Sequence, residues 1–203
     1  MKNHIKLFVF DAYGVCLNEG YPNTSKALAS KYKMNWRKIQ DILYFKYFSL
    51  AAVKKISQQE AWQKAITELG LPLNVPELKK LHCGLMRTNP KMLRLIKTLG
   101  KNYKIACLSK NTRSQFADVK KMFPELEKLF GKNLINVWEY SLPKASPKTV
   151  NFLCKRFKVK PPEILYIDDQ QANLAAPKQL GVKTVLYKTF GQAKKEINEA
   201  IAK

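Results

Sequence analysis

The chain has 203 residues, 46% of them hydrophobic and 26% charged, enough for one sizeable core and a smaller second one. No apolar run approaches the ~20 residues that span a bilayer. The apolar stretch near the start covers only Leu7 to Phe10, too short for a secretion signal, so a cytoplasmic protein without a membrane partner is expected. The net charge of +22 favours anionic partners. The lysines, however, are spread along the chain with pairs such as Lys54-Lys55, Lys79-Lys80 and Lys120-Lys121 and no long basic block. Weak, non-specific contact with nucleic acid is therefore expected, not a specific complex. Cys16, Cys83, Cys107 and Cys154 share no C-x-x-C spacing and lie within apolar patterns, as reduced core residues do.

In chain order, IKLFVF (5–10) is a short apolar run that reads as a buried strand. Residues 23–85 are patterned as helix throughout. Asn23 or Thr24 is the expected cap of a helix ending at Lys33, and Asn35 that of one running through WRKIQDILYFKYF. Ser57 precedes Glu60 by the capping-box spacing and opens a helix closed by Gly70. VPELKKLHCGLM is a further helix. Pro90 sits near the first turn of PKMLRLIKTLG, YKIACLS (103–109) is a second strand, and SQFADVKKMFPELEKLF is helical with an interruption at Pro124. NLINVWEYS (133–141) reads as a short strand, SPKTVNFLCKRF as a helix, EILYIDD (163–169) as a strand and ANLAAPKQLG as a helix. VKTVLY (182–187) is the last strand and FGQAKKEINEAIAK (190–203) the last helix. Alternation of strand and helix from residue 90 onward implies an α/β protein, a parallel sheet with helices on both faces. The all-helical stretch after the first strand breaks that rhythm and reads as an insertion over the sheet's carboxyl edge.

The sequence contains five aspartates, 11, 41, 118, 168 and 169, and three of them end expected parallel strands. That edge is where open α/β sheets bind ligands. If the strands ending at Asp11 and at Asp168-Asp169 are neighbours, three carboxylates meet and repel unless protons or a cation neutralise them. A hard divalent ion, Mg²⁺ foremost, suits such oxygen donors. Ser109 brings a hydroxyl to the same edge, unless it merely caps the next helix. Lys144, just before a later helix, brings a positive charge for an anionic substrate.

Asp11, Ser109, Lys144 and Asp168-Asp169, in this order on alternating strands and helices, resemble the haloacid dehalogenase-like hydrolase superfamily. The stretch KKISQQEAWQKAITELGLP is similar to a helical cap segment of one subclass. LSKNTRSQF and YIDDQQANLAAPKQLGVKTVLY are similar to its sugar-phosphate phosphatases and epoxide-hydrolase-associated phosphatase domains. The resemblance implies a Rossmann-like core over 1–15 and 89–203 and a helical cap over 16–88. It implies catalysis through a covalent aspartyl intermediate on a small phosphorylated substrate. Asp11 is then the nucleophile. Asp11, the Tyr13 carbonyl and Asp168 hold Mg²⁺, with Asp169 binding it through water or orienting Lys144. Ser109, Lys110 and Lys144 bind the phosphoryl oxygens.

Three positions depart from that pattern. The family's phosphatases carry a second Asp two residues after the nucleophile as general acid and base, and here Tyr13 stands there. A phenol with a pKa of ~10 donates a proton but is a poor base, and loss of a matched acid–base group costs about 10²–10⁴-fold. FDAYG is also similar to the family's metal-independent 2-haloacid dehalogenases, which makes dehalogenation, with Arg37 as a carboxylate binder, the alternative chemistry. Against it, that pattern has Ser and Asn where this chain has Asp168-Asp169, and a Tyr after the lysine motif where KASPKTVN has none. Lys110 replaces a usual Asn, and Pro143-Lys144-Ala145 replaces a usual Lys-Pro order. A further alternative is a degenerate member that serves as a basic binding or adaptor protein.

Overall fold

The computed structural model describes residues 4–144 and 146–202. Contacts divide the chain into two compact units, one of residues 1–17, 88–110 and 123–203, the other of 18–87 and 111–122. Residues 111–122 thus cluster with the helical segment rather than with the sheet.

In the first unit the strands are β1 (Leu7–Asp11), β2 (Lys104–Ser109), β3 (Leu134–Asn136), β4 (Ile164–Asp168) and β5 (Lys183–Leu186). Among the described residues they form one five-stranded parallel sheet in the order β3-β2-β1-β4-β5. β1 and β4 are buried along their whole length, which explains their unbroken apolar character up to the terminal aspartate. One face packs Leu7, Val9, Ala106, Leu108, Ile164 and Tyr166 against Val150, Leu153 and Phe157 of α9 (Pro147–Phe157) and Leu174 of α10 (Gln171–Gln179). By strand alternation Phe8, Phe10 and Cys107 belong to the other face. There α6 (Pro90–Leu99), with Met92 and Ile96 fully buried, packs on β2, and α11 (Phe190–Ala202) on β5 and α6. Asn89 caps α6, accepting from Met92 N at 3.2 Å, and its amide donates to the Val15 carbonyl and the Tyr187 hydroxyl. The strand expected over 133–141 stops at Asn136. Beyond it the chain turns, with Tyr140 N and Leu142 N both bonded to the Val137 carbonyl.

The second unit holds α1 (Gly20–Tyr32), α2 (Trp36–Gln40), a π-helical segment (Asp41–Phe48), α3 (Ser49–Ala52), α4 (Gln58–Leu69), α5 (Val75–Leu85) and α7 (Arg113–Met122). Its core joins Tyr21, Leu28, Ile39, Leu43, Trp62 and Leu78. Asn35 caps α2 as expected, but the helix it opens widens at Asp41, and Ser49 N reaches back to the Tyr44 carbonyl. Ser57 accepts from Glu60 N, half of a capping box, whereas Asn74 and Glu77 form a complete one at α5. Asn23 and Thr24 cap nothing, because α1 already begins at Gly20.

Thr24 instead enters a buried chain of hydrogen bonds. Its hydroxyl donates to the Gly20 carbonyl at 2.9 Å and faces His82 Nδ1 at 2.7 Å. Gln115 Nε2 lies 2.6 Å from His82 Nε2 and its Oε1 accepts from the Tyr21 hydroxyl, which accepts from Gln58 Nε2. Thr112 closes the chain by donating to Gln58 Oε1 at 3.0 Å. With both partners' protons committed, the consistent assignment is a neutral His82 protonated on Nδ1. Burial lowers its pKa to about 4. No helix among the described residues is long and apolar enough to cross a membrane.

Candidate active site

The sheet order makes β1 and β4 neighbours, and their register pairs Val9 with Tyr166 and Phe10 with Ile167. One step further in that register sets Asp11 beside Asp168. Oxygens of Asp11, Asp168 and Asp169 all lie within 4.8 Å of one another, with Asp11 and Asp168 buried and Asp169 half-buried. Lys144 reaches into the cluster from the loop before α9, its Nζ 2.5 Å from Asp11 Oδ2 and 3.1 Å from Asp168 Oδ2.

The electrostatics follow from three carboxylates sharing one such partner. Burial raises the Asp11 carboxyl well above its ordinary value; Lys144 pulls it back and Asp168 and Asp169 push it up. Burial followed by the charge of Asp168 pushes Asp169 to about 6. Burial works against the Lys144 ammonium, but Asp11 and Asp168 outweigh it and hold it protonated.

Three supports of the cluster lie outside the sequence-derived site. Asp168 Oδ1 accepts from Gln170 N at 2.9 Å and from Asn173 Nδ2 at 3.0 Å, the latter in the first turn of α10. Gly14, three residues after Asp11, has a φ of +83° and packs directly against the Asp169 carboxyl. The signal for Gly14 was present in FDAYG, since a glycine after a strand-ending turn marks a positive φ or a close approach. Asn173 gave no signal beyond its place early in the helix after Asp169.

Ser109, Lys110 and Tyr13 sit along the same edge. Ser109 ends β2, and its hydroxyl is buried without a hydrogen-bond partner, so it caps no helix. Lys110 follows it, half-buried and in no ion pair among the described residues, and burial followed by the charge of Lys144 lowers its pKa. Tyr13 is half-buried and bridges to Leu17 within the turn after β1. Arg37 lies in the other unit, exposed, with its guanidinium 5.1 Å from the centre of the Trp36 ring.

The donor set suits a hard divalent cation. Apart from the Lys144 ion pairs, Asp11 Oδ2, Asp168 Oδ2 and Asp169 Oδ1 accept no hydrogen bond. All three are anionic oxygen donors, the kind Mg²⁺ takes.

A model of the haloacid dehalogenase-like hydrolases matches residues 5–181. No curated protein matches the sequence. A predicted haloacid dehalogenase-like hydrolase from Porphyromonas gingivalis is similar in structure, with a TM-score of 0.74, 20% identity and 98% of each chain covered. A family enzyme from Bacteroides thetaiotaomicron, solved with magnesium and inorganic phosphate, has a TM-score of 0.70 at 20% identity over 91% of this chain and 94% of that one. An L-2-haloacid dehalogenase from Xanthobacter autotrophicus has a TM-score of 0.66 at 20% identity over 89% and 76%. At such identities the likenesses establish the fold.

Proposed function

The chain belongs to the haloacid dehalogenase-like hydrolases, and from that premise we propose that it is a magnesium-dependent phosphatase of a small phosphorylated metabolite, with Asp11 as nucleophile. One observation carries this reading: three carboxylates meet within 4.8 Å at an edge that also holds a buried, unpartnered serine hydroxyl. Displacement of a halide by Asp11 alone would gain nothing from two further carboxylates, whose repulsion costs stability.

In this mechanism an oxygen of Asp11 attacks phosphorus. An O–P bond forms while the bond to the leaving oxygen breaks, and that oxygen departs with the electron pair. Water then cleaves the aspartyl phosphate, releasing inorganic phosphate and restoring Asp11. Lys144 carries its charge from the two carboxylates toward the phosphoryl oxygens, and Ser109 donates its uncommitted hydroxyl to them. Lys110 adds a second positive charge beside them. Asp168 and Asp169, with Asp11 and the Tyr13 carbonyl, hold Mg²⁺, which when bound polarises a phosphoryl oxygen and offsets the repulsion between nucleophile and substrate. Tyr13 is a weak acid and no base near neutral pH, so substrates whose leaving oxygen departs unprotonated are preferred. Polyanions bind weakly and lose their affinity as salt is added.

Tyr13 also favours a second reading, metal-independent dehalogenation of 2-haloacids. The test is an assay of the purified protein on phosphomonoesters, acyl phosphates, nucleotides and 2-haloacids, with magnesium and with chelator. Phosphate release that needs magnesium is the expected result. Halide release indifferent to chelator would establish dehalogenation instead, and no turnover at all would leave a binding protein.

A further inference from the structure

Tyr166 lies two residues before Asp168 in β4, so both side chains leave the same face of the sheet. Its register partner is Val9, and the next pair up that face is Asp11 and Asp168. Tyr166 therefore occupies the row directly beneath the two carboxylates. It is 3% exposed and packs among Leu7, Val9 and Ile164, yet its hydroxyl makes no hydrogen bond. Phenylalanine would fill the same space without a buried, unsatisfied oxygen, a group that costs stability. Packing alone gives no reason for the hydroxyl.

The carboxylate above it supplies one. Asp168 Oδ1 is occupied by Gln170 N and Asn173 Nδ2, whereas Oδ2 meets Lys144 and accepts no hydrogen bond. A donor and an acceptor, both buried and both unsatisfied, thus stand in adjacent rows of one face.

The geometry points to Tyr166 as a positioning residue whose hydroxyl donates to Asp168 Oδ2 and fixes the carboxylate in the orientation that takes a divalent cation. This rests on reading the three aspartates as a magnesium site. Oδ1 is already anchored by two donors, so the phenol fixes the oxygen that faces Lys144. Partners of this kind, one shell out from the metal, are typically worth 10–100-fold in metal affinity.

Tyr166→Phe keeps the ring and removes the hydroxyl, and Mg²⁺ alone is titrated into wild type and variant by calorimetry. The expected result is an affinity about 10–100-fold weaker in the variant, with its melting temperature in chelator unchanged or raised. Equal affinities would overturn the inference and leave the metal site intact. A variant less stable in chelator but equal in affinity would make the hydroxyl purely structural, also overturning it. Absence of magnesium heat in wild type itself would overturn both this inference and the reading beneath it.

Discussion

A Cβ on Gly14 would lie 2.3 Å from the carboxyl carbon and from Oδ2 of Asp169, and Gly14 holds a φ of +83° that side chains rarely adopt. Gly14→Ala thus carries two penalties, backbone strain and displacement of Asp169. Gly70 separates them, because it is left-handed helical with φ of +60° and ψ of +34° but nothing lies within 4 Å of an added Cβ. Gly70→Ala is expected to lose about 1–2 kcal/mol of stability through strain and to leave Mg²⁺ affinity unchanged. Gly14→Ala is expected to lose at least as much and to weaken Mg²⁺ binding by about tenfold or more. Melting curves and calorimetry on the two variants check this, and unaltered affinity in Gly14→Ala would show that Asp169 takes no part.

Magnesium is expected to stabilise the wild type, since only the folded chain assembles the three carboxylates. At an ion concentration about 100 times the dissociation constant the gain is about 2.7 kcal/mol. For a chain of this size that is about 5–10 °C in melting temperature. Asp11→Asn/Asp168→Asn removes two of the anionic ligands and should abolish the shift. A shift that persists in the double variant would place the ion elsewhere.

The buried His82 makes stability depend on pH with a definite sign. Its pKa falls from 6.5 to about 4 on folding, so between those values the unfolded chain binds more protons than the folded one. Its contribution is complete above pH 6.5 and drains away as pH falls toward 4, amounting to about 3 kcal/mol in all. Protonation would also put a second N–H on the ring where Gln115 Nε2 already points. Asp169, raised to about 6, works in the opposite direction over part of the same window. The measurement is therefore the difference in denaturation free energy between wild type and His82→Gln from neutral pH to 4. A difference that does not change with pH would refute the assignment of a neutral His82.

The elements legible in the sequence were those with local causes. Strands that are apolar on both faces and end on aspartate, and helices opened by Asn35, Ser57 or Pro90, announce themselves within a few residues. Thr24 misled because its hydroxyl is claimed by His82, 58 residues away, and no local pattern encodes that partner. The π-helical segment Asp41–Phe48 escaped because apolar spacing at 3.6 residues per turn cannot reveal one added residue. At the site, the residue types were legible and the neighbourhood was not. Only the order β1 beside β4 brings Asp11 to Asp168, and strand order is a tertiary property. Asn173 and Tyr166 act, or are placed to act, on Asp168 from ordinary-looking positions in α10 and β4.

The chemistry turns on Tyr13. An oxygen that leaves as an alkoxide needs a proton in the transition state, and the water that cleaves the aspartyl phosphate must lose one. A carboxyl two residues after the nucleophile serves both needs, whereas a phenol of pKa ~10 is a weak acid for the first near neutrality and no base for the second. Wild type is therefore expected to turn over acyl and aryl phosphates, whose leaving groups depart as stable anions, faster than alkyl phosphates. Tyr13→Asp should raise turnover of alkyl phosphates by up to ~10²–10⁴-fold, while the first step with acyl phosphates, read as a burst, should change little because their leaving group needs no acid. Asp11→Asn in either background removes the nucleophile and should abolish both activities. The added carboxylate also crowds a site already holding three. The variant should thus depend on magnesium more steeply than wild type and lose stability in chelator. If Tyr13→Asp accelerates that first step equally for acyl and alkyl phosphates, position 13 acts through geometry or charge and not through proton transfer to the leaving group. If it accelerates neither while Asp11→Asn still abolishes activity, another group supplies the proton.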